Sequence, residues 1–101
     1  MSEAALKPCG EGCWALDGVL DFDSVPQTWL ALERLLSVDG QLTLSLADIS
    51  RANSAGLVML VEARNLARRN NCRLQLVDLP TGLLDLARMS GCEELIAKND
   101  A

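Results

Sequence analysis

The sequence holds serines, cysteines and carboxylates but no histidine. Neither a Ser-His-Asp nor a Cys-His set can therefore form. A Ser-Lys variant would have to draw on Lys7 or Lys98, both near the termini. Neither glycine-rich phosphate loop, G-x-x-x-x-G-K-[ST] nor G-x-G-x-x-G, occurs in the chain. The carboxylates Asp17, Asp21, Asp23, Asp48, Asp78 and Asp85 are scattered, and they read as solvated surface charges rather than a paired acid and base. Cys9 and Cys13 are spaced C-x3-C, and Cys72 and Cys92 stand alone. That spacing does not match paired metal-ligand motifs. In a reducing cytosol all four are expected as free thiols, two in the core and two near a surface strand. No catalytic residue, metal or cofactor is assigned, and the chain is expected not to be an enzyme.

One local feature remains, Asn53-Ser54-Ala55-Gly56-Leu57. Ser54 reads as a helix N-cap, with its hydroxyl accepting from a backbone N–H two or three residues on. Ala55 and Gly56 would keep the first turn bare, leaving N–H groups and the positive end of the dipole open to an anion or to a phosphate on Ser54 itself. A plain cap followed by small packing residues explains the same letters. Arg51 flanks the cap and could pair with an acid on a partner. Arg64 and Arg68, one helical turn apart, could extend that patch, or form a solvated face with neighbours such as Glu62.

Residues 13–20 read as a strand or paired strands, with Trp14 and Leu16 on one face, Ala15 and Asp17 on the other, and a bend or bulge at Gly18. Ser24, Pro26 and Gln27 mark a helix start. That helix carries Val25, Trp29, Leu32 and Leu36 at helical spacing to about Val38, and Asp39-Gly40 stops it. Leu42, Leu44 and Leu46 alternate with polar or small residues as a one-faced strand. Asp48–Asn53 reads as a polar connection. A helix from Ser54 ends with Arg68 and Arg69 in its last turn and a left-handed stop at Asn70-Asn71. Leu74, Leu76 and Leu79 belong to a second one-faced strand. Pro80-Thr81 opens a third helix that Gly91 ends, and Glu94–Ala97 would add a short last strand. Alternating elements imply a partly parallel sheet, with helices on one face and the other face more polar.

The 101 residues suit a single domain over 1–101. Half of them are apolar, and Trp14, Phe22 and Trp29 are the only aromatics, so the core must be aliphatic. A net charge of −5 argues against nucleic acid as a partner. Met1–Gly12 is short and polar, unlike a secretory signal. No apolar run approaches the ~20 residues that cross a bilayer. The chain is expected to be soluble and cytosolic, with no direct membrane insertion.

Leu46-Ala47-Asp48-Ile49-Ser50-Arg51-Ala52-Asn53-Ser54-Ala55-Gly56-Leu57 resembles the signature of STAS domains: a strand, a short connection, then Asp-Ser/Thr-x-Gly-Leu opening a helix. Gly18-Val19-Leu20-Asp21 is similar to an earlier Gly-x-Leu-Asp segment of that family. Element order and length agree over nearly the whole chain. The resemblance implies an α/β fold with a mixed four- to five-stranded sheet and about three helices packed mainly on one face. Within the family, the short length and the Trp29 helix are similar to the MlaB type. These members are non-catalytic cytosolic subunits that bind the MlaF-like ATPase of a phospholipid-transport ABC complex, and the complex, which includes a permease, maintains outer-membrane lipid asymmetry. Such a chain sits at the inner membrane through its partner. Other members are anti-sigma-factor antagonists, switched by a serine kinase at the helix-start Ser/Thr. Ser54 matches that regulatory position and Gly56-Leu57 match the residues after it. The family Asp is Asn53 here, and the usual first Gly is Ala55. Asn53 preserves docking more readily than phosphorylation control, which favours the transport-subunit reading over the signalling switch.

Overall fold

A computed structural model describes residues 3–38 and 40–97. Its sheet begins as a hairpin of β1 (Ala4–Gly10) and β2 (Cys13–Leu20). The first strand thus lies earlier than the sequence suggested, in a stretch whose polarity and Pro8 hide its alternation. Ala4 and Leu6 pack against the core beside Trp14, Leu16 and Leu20. On the outer side, Lys7 pairs with Asp17 at 2.8 Å. The hydrogen bond and charge of Asp17 hold the Lys7 ammonium above its ordinary range. Cys9 and Cys13 are joined by a disulfide, which overturns the expectation of four free thiols. The hairpin brings their Cα atoms to 5.2 Å, well inside the span a disulfide bridges. Cys72 is buried and Cys92 half-buried, both as free thiols.

β2 is the hub of the sheet. It runs antiparallel to β1 on one edge. Its other edge is shared: residues Cys13–Ala15 pair in parallel with β3 (Gly40–Ser45), and Gly18–Leu20 pair in parallel with β4 (Ile49–Ala52). β5 (Cys72–Val77) then pairs in parallel with β3 along its length. The strand β4 corrects the polar connection read at Asp48–Asn53. Four residues are too few to show alternation, and only Ile49 is buried. The second half of β2 nevertheless needs a partner for its backbone once β3 has diverged, and β4 supplies it. Gly18 marks the change of partner. Its φ of +99°, the register shift beside it, and the Glu3 carbonyl next to the place a Cβ would occupy require glycine.

Among the described residues the helices are α1 (Val25–Leu36), α2 (Ser54–Arg69), α3 (Thr81–Met89) and α4 (Glu93–Ala97). Leu42, Leu44, Leu74 and Leu76 are buried, while Gln41, Thr43, Arg73 and Gln75 between them are more exposed. The sheet therefore has one core face, and α1 and α2 bury Leu32, Leu36, Leu57, Leu60 and Ala63 in the same cluster. The fold is a mixed α/β sheet of five strands covered by helices, as expected. α4 replaces the short strand read at Glu94–Ala97. Glu93 and Glu94 occupy its first turn, where the helix dipole favours negative charge, and Ile96 is fully buried.

The helix ends also refine the reading. Ser24 stands at the N-cap of α1 but makes no side-chain cap bond. Its hydroxyl instead donates to Val19 O at 2.6 Å and accepts from Asp21 N at 3.1 Å, tying the turn to β2. α1 stops at Leu36, short of Val38; Asp39 lies outside the described residues. Asn71, at φ +56°, ends α2 in the left-handed conformation. Asn70 Nδ2 donates to Leu36 O at 2.9 Å, locking the two helix ends together.

Gly18→Ala should lower stability by about 1–3 kcal/mol, through backbone strain and collision with the β1 backbone. Urea unfolding of the two proteins measures the difference, and an unchanged midpoint would contradict the strain described for Gly18.

Candidate functional site

The start of α2 is built by Asn53 rather than Ser54. Asn53 has extended backbone, and its Oδ1 accepts from Ala55 N at 2.9 Å. Its carbonyl accepts from Gly56 N at 3.0 Å and Leu57 N at 3.3 Å, and its own N–H donates to Leu20 O at 3.0 Å. One residue thus caps the helix and fastens it to the end of β2. This corrects the assignment of the cap to Ser54, which is the first residue of the helix itself. Asn was equally able to cap, and the sequence did not say which of the two adjacent polar residues would.

The same bonds correct the picture of a bare, anion-binding first turn. The N–H groups of Ala55, Gly56 and Leu57 are all used within the chain. Ala55, Gly56 and Leu57 are buried. Gly56 is small because a Cβ there would lie 2.8 Å from Leu20 Cβ and 3.3 Å from Leu20 O. Closeness of packing, and not access for a ligand, sets those residue types.

What remains outward is Ser54, exposed at the helix start, and Val58 one turn later, 60% exposed. Beside them Val19, Leu20, Asp21, Arg51, Ala52 and Asn53 line a cleft of about 290 Å³. Arg51 also borders a second cleft, of about 180 Å³, between β4 and the start of α3. Phe22, next to Asp21 on the β2–α1 turn, is 74% exposed. The Asp21 carboxylate accepts from Asp23 N and Ser24 N, which shapes that turn. Phe22 and Val58 were not singled out from the sequence. The signal for Val58 was its i+4 relation to Ser54; for Phe22 it was a lone phenylalanine in an Asp-rich turn.

The structure brings Arg51, Asn53 and Ser54 together and leaves the two helix arginines apart. Arg64 is 1% exposed, so it is not part of an outer patch: it falls on the face of α2 that also buries Leu57 and Leu60. Arg68 is exposed in the last turn, fourteen residues beyond Ser54 and so about 21 Å along the axis. Among the described residues, no group of three or more His, Cys, Asp or Glu could hold a metal ion, and no helix is long and apolar enough to cross a membrane. The chemistry that Ser54 offers is that of an exposed hydroxyl beside a cleft lined by apolar residues together with Arg51 and Asp21.

Asn53→Ala should cost about 1 kcal/mol as a lost cap, whereas Ser54→Ala should stay within about 0.5 kcal/mol of the parent. Chemical denaturation of both variants tests the assignment; a larger loss for Ser54→Ala would return the cap to the serine.

The whole arrangement is similar to known folds. The solved structure of the anti-sigma factor antagonist SpoIIAA in its unphosphorylated form aligns with a TM-score of 0.68 at 13% identity, covering 92% of this chain and 84% of that one. A crystal structure of Mglu aligns with a TM-score of 0.56 at 17% identity, over 76% of this chain but 20% of that one. At these identities the likeness is one of fold. Among curated proteins none matches the chain. Residues 11–97 match the family described as Mlab, STAS domain, and with most of its length so matched the chain belongs to the MlaB-type STAS domain family.

Proposed function

We propose that this protein is a non-catalytic STAS subunit that docks on the ATPase of a phospholipid-transport ABC complex of the Mla type. In that role it sits on the cytoplasmic side of the inner membrane, held there by the ATPase and its permease, and serves outer-membrane lipid asymmetry. The observation that carries the reading is the surface at the start of α2. Ser54, Val58, Phe22 and Arg51 stand exposed there, on a base fixed by Asn53. Membership of a family bearing the MlaB name supports the choice of partner.

Energetically, the apolar side chains matter most. A rim ion pair from Arg51 contributes little affinity but helps steer encounter. Burial of Phe22 and Val58 removes apolar area from water and excludes water around Ser54. Binding would act by favouring one ATPase conformation, without a chemical step on this chain.

A second reading has its own support, the likeness to an unphosphorylated anti-sigma factor antagonist together with the exposure of Ser54. There, a serine kinase would place phosphate on Ser54 and break contact with an anti-sigma partner by adding charge at the interface.

Val58→Asp and Ser54→Glu should each weaken capture of the ATPase by about tenfold or more, with unfolding midpoints close to that of the parent. Capture unaffected by both substitutions would refute this docking surface. Phosphate incorporation at Ser54 by a serine kinase, with no ATPase retained on the column, would select the signalling reading instead.

A further inference from the structure

We propose that Cys9 and Cys13 form a thiol–disulfide exchange site, opened by dithiol reductants and closed by disulfide oxidants, that sets whether the end of β1 stays on β2. In the hairpin, Pro8 lies opposite Trp14 and Gly10 opposite Cys13, with a register shift between them. Cys9 is therefore the extra residue of a bulge, where the ladder is already interrupted. Pro8 beside it has no N–H to give to the ladder. Residues Lys7–Gly10 are all exposed, and in β1 contact with the core stops at Leu6. Besides the interrupted strand pairing out to Gly10 and the Lys7–Asp17 ion pair, the covalent link ties this end of the strand.

Access favours exchange. Cys9 is exposed and Cys13 half-buried. An incoming thiolate attacks Cys9 Sγ, forming a mixed disulfide as the Cys9–Cys13 bond breaks and Cys13 leaves as thiolate, which takes a proton. The second thiol of the reductant then attacks the mixed disulfide and releases Cys9 as thiol. The sum is one disulfide and one dithiol exchanged for two cysteine thiols and one oxidised dithiol, a transfer of two electrons and two protons. Only three residues separate the pair, so the reduced thiols remain neighbours and can re-form the bond. The other two cysteines stay outside this chemistry. Cys72 is buried, which pushes its thiol up, and the Cys92 thiol faces Ser90 O at 3.5 Å.

The bond joins β1, which precedes the family match starting at residue 11, to the first strand within it. It also lies at the opposite end of β2 from Leu20 and the α2 start, roughly 23 Å away along the strand. Its redox state can thus be changed without disturbing the proposed docking surface.

The test uses the full chain. Oxidised glutathione should leave only Cys72 and Cys92 open to alkylation under denaturing quench, and dithiothreitol without denaturant should restore Cys9 and Cys13. Hydrogen exchange in the peptide spanning β1 should be about tenfold faster in the reduced protein, while α2 amides are unchanged. Cys9→Ser should exchange like the reduced parent in both buffers. A pair that stays reduced in oxidised glutathione, a bond that opens only in denaturant, or equal β1 exchange in the two states would overturn the proposal.

Discussion

The close approach of α2 to the end of β2 is the constraint on which the rest of the structure depends. Leu20 is fully buried and serves both neighbours: its carbonyl takes the Asn53 N–H, and its side chain lies where a Cβ on Gly56 would go. Because the helix begins directly on the strand, β4 must end at Ala52, and the turn into α2 has one residue to make it. Asn53 meets that demand with three of its polar groups. A helix start pinned this tightly offers a fixed platform, which lowers the ordering cost of any contact made there.

The same packing decides which faces of α2 are available. Ala55, Gly56, Met59, Leu60, Ala63 and Ala67 are committed to the core. Ser54, Val58, Glu62, Asn65 and Arg69 form the outward stripe at helical spacing. Burying Arg64 with the first group separates it from Arg68, its neighbour one turn on. Arg64 and Arg68 therefore do not form one outer patch, and the exposed cation that flanks the start of α2 is Arg51, on β4.

Much of this was legible before the structure. Strong periodicity placed all three long helices and most of the two Leu-rich strands, although Leu46 and Leu79 fall beyond the ends of β3 and β5, and the resemblance around residues 46–57 gave the fold. Short or mixed-signal segments were not legible. β4 has four residues with a single buried side chain, β1 has its alternation broken by proline, and α4 is one turn longer than nothing in pattern terms, defined by a dipole-matched pair of glutamates and Ile96. At the site, residue types suggested a cap and small packing residues, and the structure contains both. The choice between Asn53 and Ser54 depended on the backbone bond to Leu20, a long-range fact. The burial of Arg64 is of the same kind: its position in the wheel was readable, but the direction of the core relative to α2 was not. The disulfide required knowing where the hairpin turned.

β2 ties these observations together, because among the described strands it alone pairs with three others. Its first residues carry the disulfide to β1 and pair with the last residues of β3; its last residues carry β4 and the seat of α2. Between the two ends, Gly18 breaks the regular ladder and changes the partner strand. Local rearrangement at the hairpin would have to pass the buried Leu16 and this bulge before reaching Leu20. Both are held by independent contacts, Leu16 by the core and Gly18 by its N–H bond to Asp48 O at 3.2 Å. A close-packed interior of this kind resists continuous deformation. The two ends of one strand can therefore carry separate properties, a covalently tied edge at one and the proposed docking surface at the other.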